Sequence, residues 1–241
     1  MKIVRVNSSN INYYTGFNLG TFFNISALNN RISNAEINFD LLNAAIFYCT
    51  NNERYRFNLP ICNFHEKLLD SSISHSLQMK LHNFFSHENP IDNRNRNLDN
   101  RLSTLKSNTF NGFYCFGENI ADYPVINSKG NKFIVKNIIN SQRYFSVDGL
   151  CEIHPFTYIE FAKTVVDGWM NSPEHRQNIL NPAYKFLGCG CANYEREVNV
   201  IAGTITYFKI TQNFGGDLIT DIFPSSIIKT KKIRIVKKQD K

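Results

Sequence analysis

Three residues far apart in the chain, His87, Glu118 and His175, carry the side chains from which a catalytic-type zinc site is built. Two imidazoles and one carboxylate leave a coordination position open, where a metal would polarise a substrate oxygen or lower the pKa of a bound water. His75, Ser172 and Glu174 stand behind them, and Glu118 or Glu174 has the chemistry of a general base. Spacing alone does not bring these residues together. The chain has no HExxH, GxSxG or phosphate-loop pattern, so the well-marked hydrolase and nucleotide-binding classes gain no support.

The elements that must position these residues are partly legible. The run Trp169-Met170-Asn171-Ser172-Pro173-Glu174-His175-Arg176-Gln177-Asn178-Ile179-Leu180-Asn181-Pro182 predicts a short helix: Ser172 is a good N-cap, Pro173 suits the first position, Glu174 favours the positive end, and Asn181-Pro182 stops it. His175 then lies in a first helical turn, where free N–H groups disfavour imidazolium and keep the ring neutral. A histidine that only hydrogen-bonds within a capped turn fits the same residues. Gly117-Glu118-Asn119-Ile120-Ala121 follows the aromatic run Phe113 to Phe116 and predicts a carboxylate held in a fixed turn.

Phe39, Leu42, Ala45, Ile46 and Cys49 recur at helical spacing and predict an amphipathic helix over 37–55. Leu69, Ile73, Leu77 and Leu81 step by four and predict a second over 66–85, with that stripe as its core face and His75, Met79 and His82 off its centre. Ser86-His87-Glu88-Asn89-Pro90 ends it, and the polar run to Arg101, in which Arg94, Arg96 and Arg101 alternate with Asn and Asp, reads as a solvated loop rather than a nucleic-acid patch. Two β-rich pieces, 132–139 and 144–153, predict an inserted hairpin. Thr157-Tyr158-Ile159-Glu160 is a capping box opening a helix through Trp169. Strands follow at 187–192, 198–202 and 204–214, the last two joined around Gly203. Helices first and antiparallel strands late predict an α+β fold with helices packed on a sheet.

Composition sets the outer bounds. A chain of 241 residues, 42% hydrophobic and 13% aromatic, fits one large domain or two small ones with a sizeable core. Of the formal charge of +7, the segment 229–241 holds seven basic residues against Asp240, so the body is near neutral and the high charge belongs to a solvated tail. Six cysteines without CxxC spacing predict reduced thiols, with Cys189 and Cys191 packed as small apolar residues on one face of a strand. No stretch approaches membrane-span length, and the N-terminus offers no recognisable signal peptide.

Taken in order, Asn52-Glu53-Arg54, Leu59-Pro60, His75-Ser76-Leu77-Gln78-Met79 with Phe85-Ser86-His87, Gly117-Glu118-Asn119-Ile120-Ala121, the Trp169 to Pro182 run, Gly188-Cys189-Gly190 and Thr211-Gln212-Asn213-Phe214-Gly215 resemble the CAP superfamily, or SCP domain. This superfamily includes cysteine-rich secretory proteins, insect venom antigen 5 and plant pathogenesis-related type 1 proteins, and the likeness is to its compact microbial branch. It covers residues 37–216. The resemblance implies a three-layer α-β-α sandwich with a central antiparallel sheet, and a cleft lined by two histidines and two acidic residues that can hold zinc. His87, Glu118 and His175 match three of those positions. Ser172 stands where animal and plant members carry Glu three residues after the tryptophan, which weakens a metal site unless Glu174 or a water substitutes. The implied organisation is an irregular extension over 1–36, the domain over 37–218 with the insertion at about 123–155, and a basic tail over 219–241. The implied partner is a small peptide, lipid or cell-envelope ligand, and the implied location is extracellular or in the cell envelope. A metal-assisted hydrolase and a non-catalytic interaction module remain as alternatives, and oligomeric state is not legible.

Overall fold

The central strands of this protein have two unlike faces, and that alternation organises its layers. The computed structural model describes residues 12–33, 35–107, 111–127, 133–138, 141–198 and 203–219. Two short helices, α1 (Asn12–Thr15) and α2 (Leu19–Phe22), lead to α3 (Phe39–Arg56), β1 (Asn63–Phe64), α4 (Glu66–Leu81), α5 (Leu98–Thr104) and β2 (Phe116–Pro124). Then come β3 (Phe133–Ile138), β4 (Ser141–Ser146), β5 (Glu152–Ile153), α6 (Tyr158–Met170), α7 (Pro173–Ile179), β6 (Phe186–Val198) and β7 (Gly203–Gly215). The main sheet has the order β1-β6-β7-β2, antiparallel except for the two-residue edge strand β1, which runs parallel to β6. With helices on both faces, this is the expected three-layer α-β-α sandwich, its antiparallel sheet extended by one parallel edge.

Side chains alternate across a strand with a period of two. On β7, Phe208 packs against Phe161 of α6 and Phe39 of α3, and Gln212 donates to Thr50 of α3. The odd-numbered residues turn the other way, where Thr211 and Asn213 meet Ser76 and Ser71 of α4. The α3/α6 side is the larger core, with Ile46, Val165, Trp169, Cys189 and Phe214 buried in one cluster. Residues 12–33 join it: Phe22 stacks on Tyr48 at 3.9 Å, and Leu28 and Ile32 are buried. The capping box at Thr157 and Glu160 forms as the sequence predicts.

Helix α4 faces the sheet differently from its leucine pattern. Leu68, Leu69, Ser72, His75, Ser76 and Met79 are buried, while Leu81 is 56% exposed. Serines line this face because the helix runs unusually close to β6. A Cβ on Gly188 would lie 2.2 Å from the Leu69 amide nitrogen, and one on Gly190 2.3 Å from that of Ile73. The same approach lets Ser72 Oγ donate to Gly188 O at 3.0 Å and Ser76 Oγ to Gly190 O at 2.9 Å, so the polar side chains are satisfied where they are buried.

Other expectations shift in detail. The insertion is a three-stranded sheet, β3-β4-β5, rather than a hairpin. β6 continues unbroken to Val198, and the expected strand at 198–202 falls, beyond its first residue, outside the described residues, as do 1–11 and the basic tail from 220. All six cysteines are free thiols, with Cys189 and Cys191 buried. Among the described residues no helix is long and apolar enough to cross a membrane.

The close helix–sheet approach gives a direct test. Gly190→Ala places its methyl group against backbone, which cannot rotate away, so it is expected to destabilise the protein by at least about 2 kcal/mol in urea unfolding. An unchanged midpoint would show that α4 does not sit this close to β6.

Candidate functional site

Glu118 lies on strand β2, not in the predicted turn, and projects to the α4/α5 side of the sheet. Gly117 precedes it for a steric reason: a Cβ there would lie 2.3 Å from the Tyr184 hydroxyl and 3.0 Å from the Asn178 side-chain oxygen. The Glu118 side chain is only 5% exposed. A buried carboxylate must be charge-compensated or protonated. Three groups surround it. His87 Nδ1 lies 3.0 Å from Oε1, the Arg101 guanidinium donates through Nη2 to Oε2, and His75 Nε2 stands 4.0 Å from Oε1. Burial opposes ionisation of Glu118, but the His87 hydrogen bond and the Arg101 charge outweigh it and hold its pKa below the usual carboxylate value. Since the ionised carboxylate can only accept, His87 Nδ1 is the donor, and in the uncharged tautomer with Nδ1–H the other nitrogen, Nε2, is an acceptor.

Arg101 is the functional residue that sequence reading misses. It was expected in a solvated loop, yet its side chain is 3% exposed. It belongs to α5, whose start is fixed by a reciprocal Asn97/Asn100 capping box and whose Leu98 and Leu102 pack with Leu68 and Phe113. Those two leucines, four apart on either side of Arg101, were the available signal of a helix with a buried face. Nη1 also donates to His87 O at 3.3 Å and Arg96 O at 3.4 Å, so the same guanidinium holds the His87 backbone and the carboxylate its ring binds.

His75, placed off the core stripe by the sequence, is fully buried beneath the site. Its Nε2 donates to Ser86 O at 3.0 Å and its Nδ1 has no hydrogen-bond partner. Burial first, and the Arg101 charge second, push its pKa down to about 4 against the opposing pull of Glu118, so the ring is neutral at neutral pH.

His175 reaches the site through its helix. Asn119 Nδ2 donates to His175 O at 3.2 Å and to Gln212 Oε1 at 3.0 Å, and Asn178 Nδ2 donates to Asn119 Oδ1 at 2.9 Å and Glu118 O at 3.1 Å. These amides stitch α7 to β2 beside the carboxylate. Arg54 clamps the far end of the helix, donating to Ile179 O, Asn181 O, Tyr184 O and Pro60 O from a fully buried position. Burial, then the nearby His87 charge, lower the pKa of His175 despite Glu174. Glu174 itself is exposed. Ser172 occupies the N-cap position, half-buried, but its side chain makes no capping hydrogen bond, contrary to the sequence reading.

The structure thus joins His87 and Glu118 directly, sets His175 within electrostatic reach, and leaves Glu174 at the surface. His87 Nδ1 and Glu118 Oε1 lie 3.0 Å apart and share a proton, which leaves no space for an ion between them, and the other oxygen of Glu118 meets a guanidinium. Among the described residues no three His, Cys, Asp or Glu side chains form a metal-ligand group. The residues present do not fit a zinc ion held by Glu118.

The family model described as CAP, the cysteine-rich secretory protein family, matches residues 47–210. Among solved structures, an extracellular protein containing an SCP domain from Bacillus anthracis str. Ames is 27% identical, with 73% of this chain and 40% of that chain covered and a TM-score of 0.45. An outer surface protein from Borrelia burgdorferi is 14% identical, with 71% and 89% covered and a TM-score of 0.41. The match therefore spans less than half the length of the Bacillus chain. No curated protein matches.

Stability should depend on pH in a direction fixed by His75. Its folded pKa of about 4 lies below the unfolded value of 6.5, so the unfolded chain binds the extra proton in that window. The contribution is complete above pH 6.5 and lost as pH falls to 4, roughly 3 kcal/mol for a shift of this size. The lowered His65, His175 and Glu118 act in the same direction. Urea midpoints between pH 7 and 4 should fall steeply in the wild type and less in His75→Gln, which keeps a donor for Ser86 O; equal slopes would contradict the assignment.

Proposed function

The chain belongs to the cysteine-rich secretory protein (CAP) family, and from that premise we propose that it works in the cell envelope or outside the cell by binding a small peptide or lipid ligand against His87 and His175. The observation that carries this reading is a contrast in exposure: His87 is 54% exposed, while the carboxylate that fixes it is 5% exposed and its arginine 3%. Burying an ion pair is costly and seldom adds stability over apolar packing. A buried ion pair anchoring an exposed imidazole makes sense if the imidazole has something to meet.

The surroundings suit a ligand with an apolar part. Phe116, two residues before Glu118 and so on its side of β2, is 38% exposed. Chemistry is the second reading, favoured by the His87 tautomer. With Nδ1–H donated to Glu118, Nε2 is free to take a proton from water, which is the general-base arrangement and needs no metal. Metal-assisted hydrolysis has less support, because the carboxylate it would use is occupied.

Full-length protein carrying labelled histidine, titrated separately with short aromatic peptides and with lysophospholipid micelles, should show the His87 and His175 ring signals moving together and saturating with one of these probes. His87→Ala should weaken that probe by about tenfold, the value of one good hydrogen bond. Silence of both rings towards all probes would remove the binding reading. Turnover of a peptide or ester library that drops about a hundredfold or more in both His87→Ala and Glu118→Gln would instead establish the chemical one.

A further inference from the structure

We infer that Arg101 is the resident cation of this site: it occupies the charge position beside Glu118 that a divalent metal would need, and through Glu118 and the His87 backbone it positions His87. Charge and available oxygens both support this. Glu118 supplies one negative charge, Arg101 one positive charge, and both side chains are at most 5% exposed, so a second cation would enter an already neutral pair with little water to screen it. The carboxylate that could have offset a dication is absent, since Ser172 stands in that place by resemblance and Glu174 is exposed.

Both oxygens of Glu118 are engaged as well. Oε2 of Glu118 accepts from Arg101 Nη2, Oε1 accepts from His87 Nδ1, and His75 spends its Nε2–H on Ser86 O. Arg101 is not a movable surface charge. It is fixed by two main-chain carbonyls, of His87 and Arg96, and by a helix capped at Asn97 and packed through Leu98 and Leu102. A guanidinium cannot be deprotonated in a protein, so this cation is permanent where a metal would be exchangeable. Arg101 is therefore a positioning residue: it keeps Glu118 ionised and oriented, and Glu118 orients the ring. The inference rests on the reading of His87 as the exposed group of the site, but its test uses no ligand, so either can fail without the other.

The test is Zn²⁺ titration of metal-free full-length protein by calorimetry, comparing wild type, His87→Ala, Arg101→Lys and Arg101→Gln. Wild type and Arg101→Lys, which keep the charge, should show no zinc binding that depends on His87. Arg101→Gln frees a carboxylate oxygen and removes the charge, so it should gain one site at least about tenfold tighter than any zinc binding of the wild type, lost again in the Arg101→Gln/His87→Ala double variant. A purely structural arginine would make the Lys and Gln variants behave alike. One-to-one binding in the wild type that His87→Ala abolishes would overturn the inference, as would a folded Arg101→Gln protein that gains no site. If Arg101→Gln does not fold, the wild-type, Arg101→Lys and His87→Ala titrations still decide, by the presence or absence of a His87-dependent site.

Discussion

An ionised carboxylate, Glu118, buried on the middle layer of the protein is the constraint from which the rest of the site follows. Such a group is not tolerated without a partner charge and a full set of donors. The nearest elements are shaped to supply them. The α5 helix brings Arg101 across, the loop after α4 brings His87, and α4 itself presents a neutral His75 beneath. The backbone carbonyl of Glu118 and the amide of Asn119 tie the same strand to α7, so His175 is delivered by the same short piece of sheet. The site is thus assembled around one strand position, and its histidines come from different elements because each is recruited to that position separately.

The two faces of the sheet divide the labour. The α3/α6 side holds the large aromatic and aliphatic core. The α4 side is polar, with Ser71, Ser72, Ser76, Thr211 and Asn213 buried and mostly hydrogen-bonded. On the α3/α6 side one chain of polar side chains runs from Asn178 of α7 through Asn119 and Gln212 to Thr50 of α3. Polar groups so buried are useful only when satisfied, and they then specify a single arrangement. Arg54 extends this logic to the end of α7, where its buried guanidinium donates to four main-chain carbonyls.

What was legible in the sequence was local. The capping box at Thr157, the helix it opens through Trp169, the helical periodicity of α3 and the strand over 204–214 all depend on neighbours within one or two turns. The face of α4 was not legible, because its burial is decided by Gly188 and Gly190 more than a hundred residues away, which admit serine and exclude leucine. Glu118 was placed in a turn because glycine usually marks one; here Gly117 is required by the Tyr184 hydroxyl above a strand. Arg101 resembled its solvated neighbours Arg94 and Arg96, and only the fold reveals that it points inward. The pairing of His87 with Glu118 came from the ordered motifs of the family and not from spacing.

The central claim is that Glu118 and Arg101 form a mutually dependent buried ion pair. A double-mutant cycle with Glu118→Gln and Arg101→Gln, read as urea stability at pH 7, measures it directly. Each single change strands a buried charge and should cost about 3–5 kcal/mol, while the double variant strands none and should fall short of the sum by at least about 2 kcal/mol. Costs that add within about 0.5 kcal/mol would show that the two residues are energetically independent, and would contradict the account.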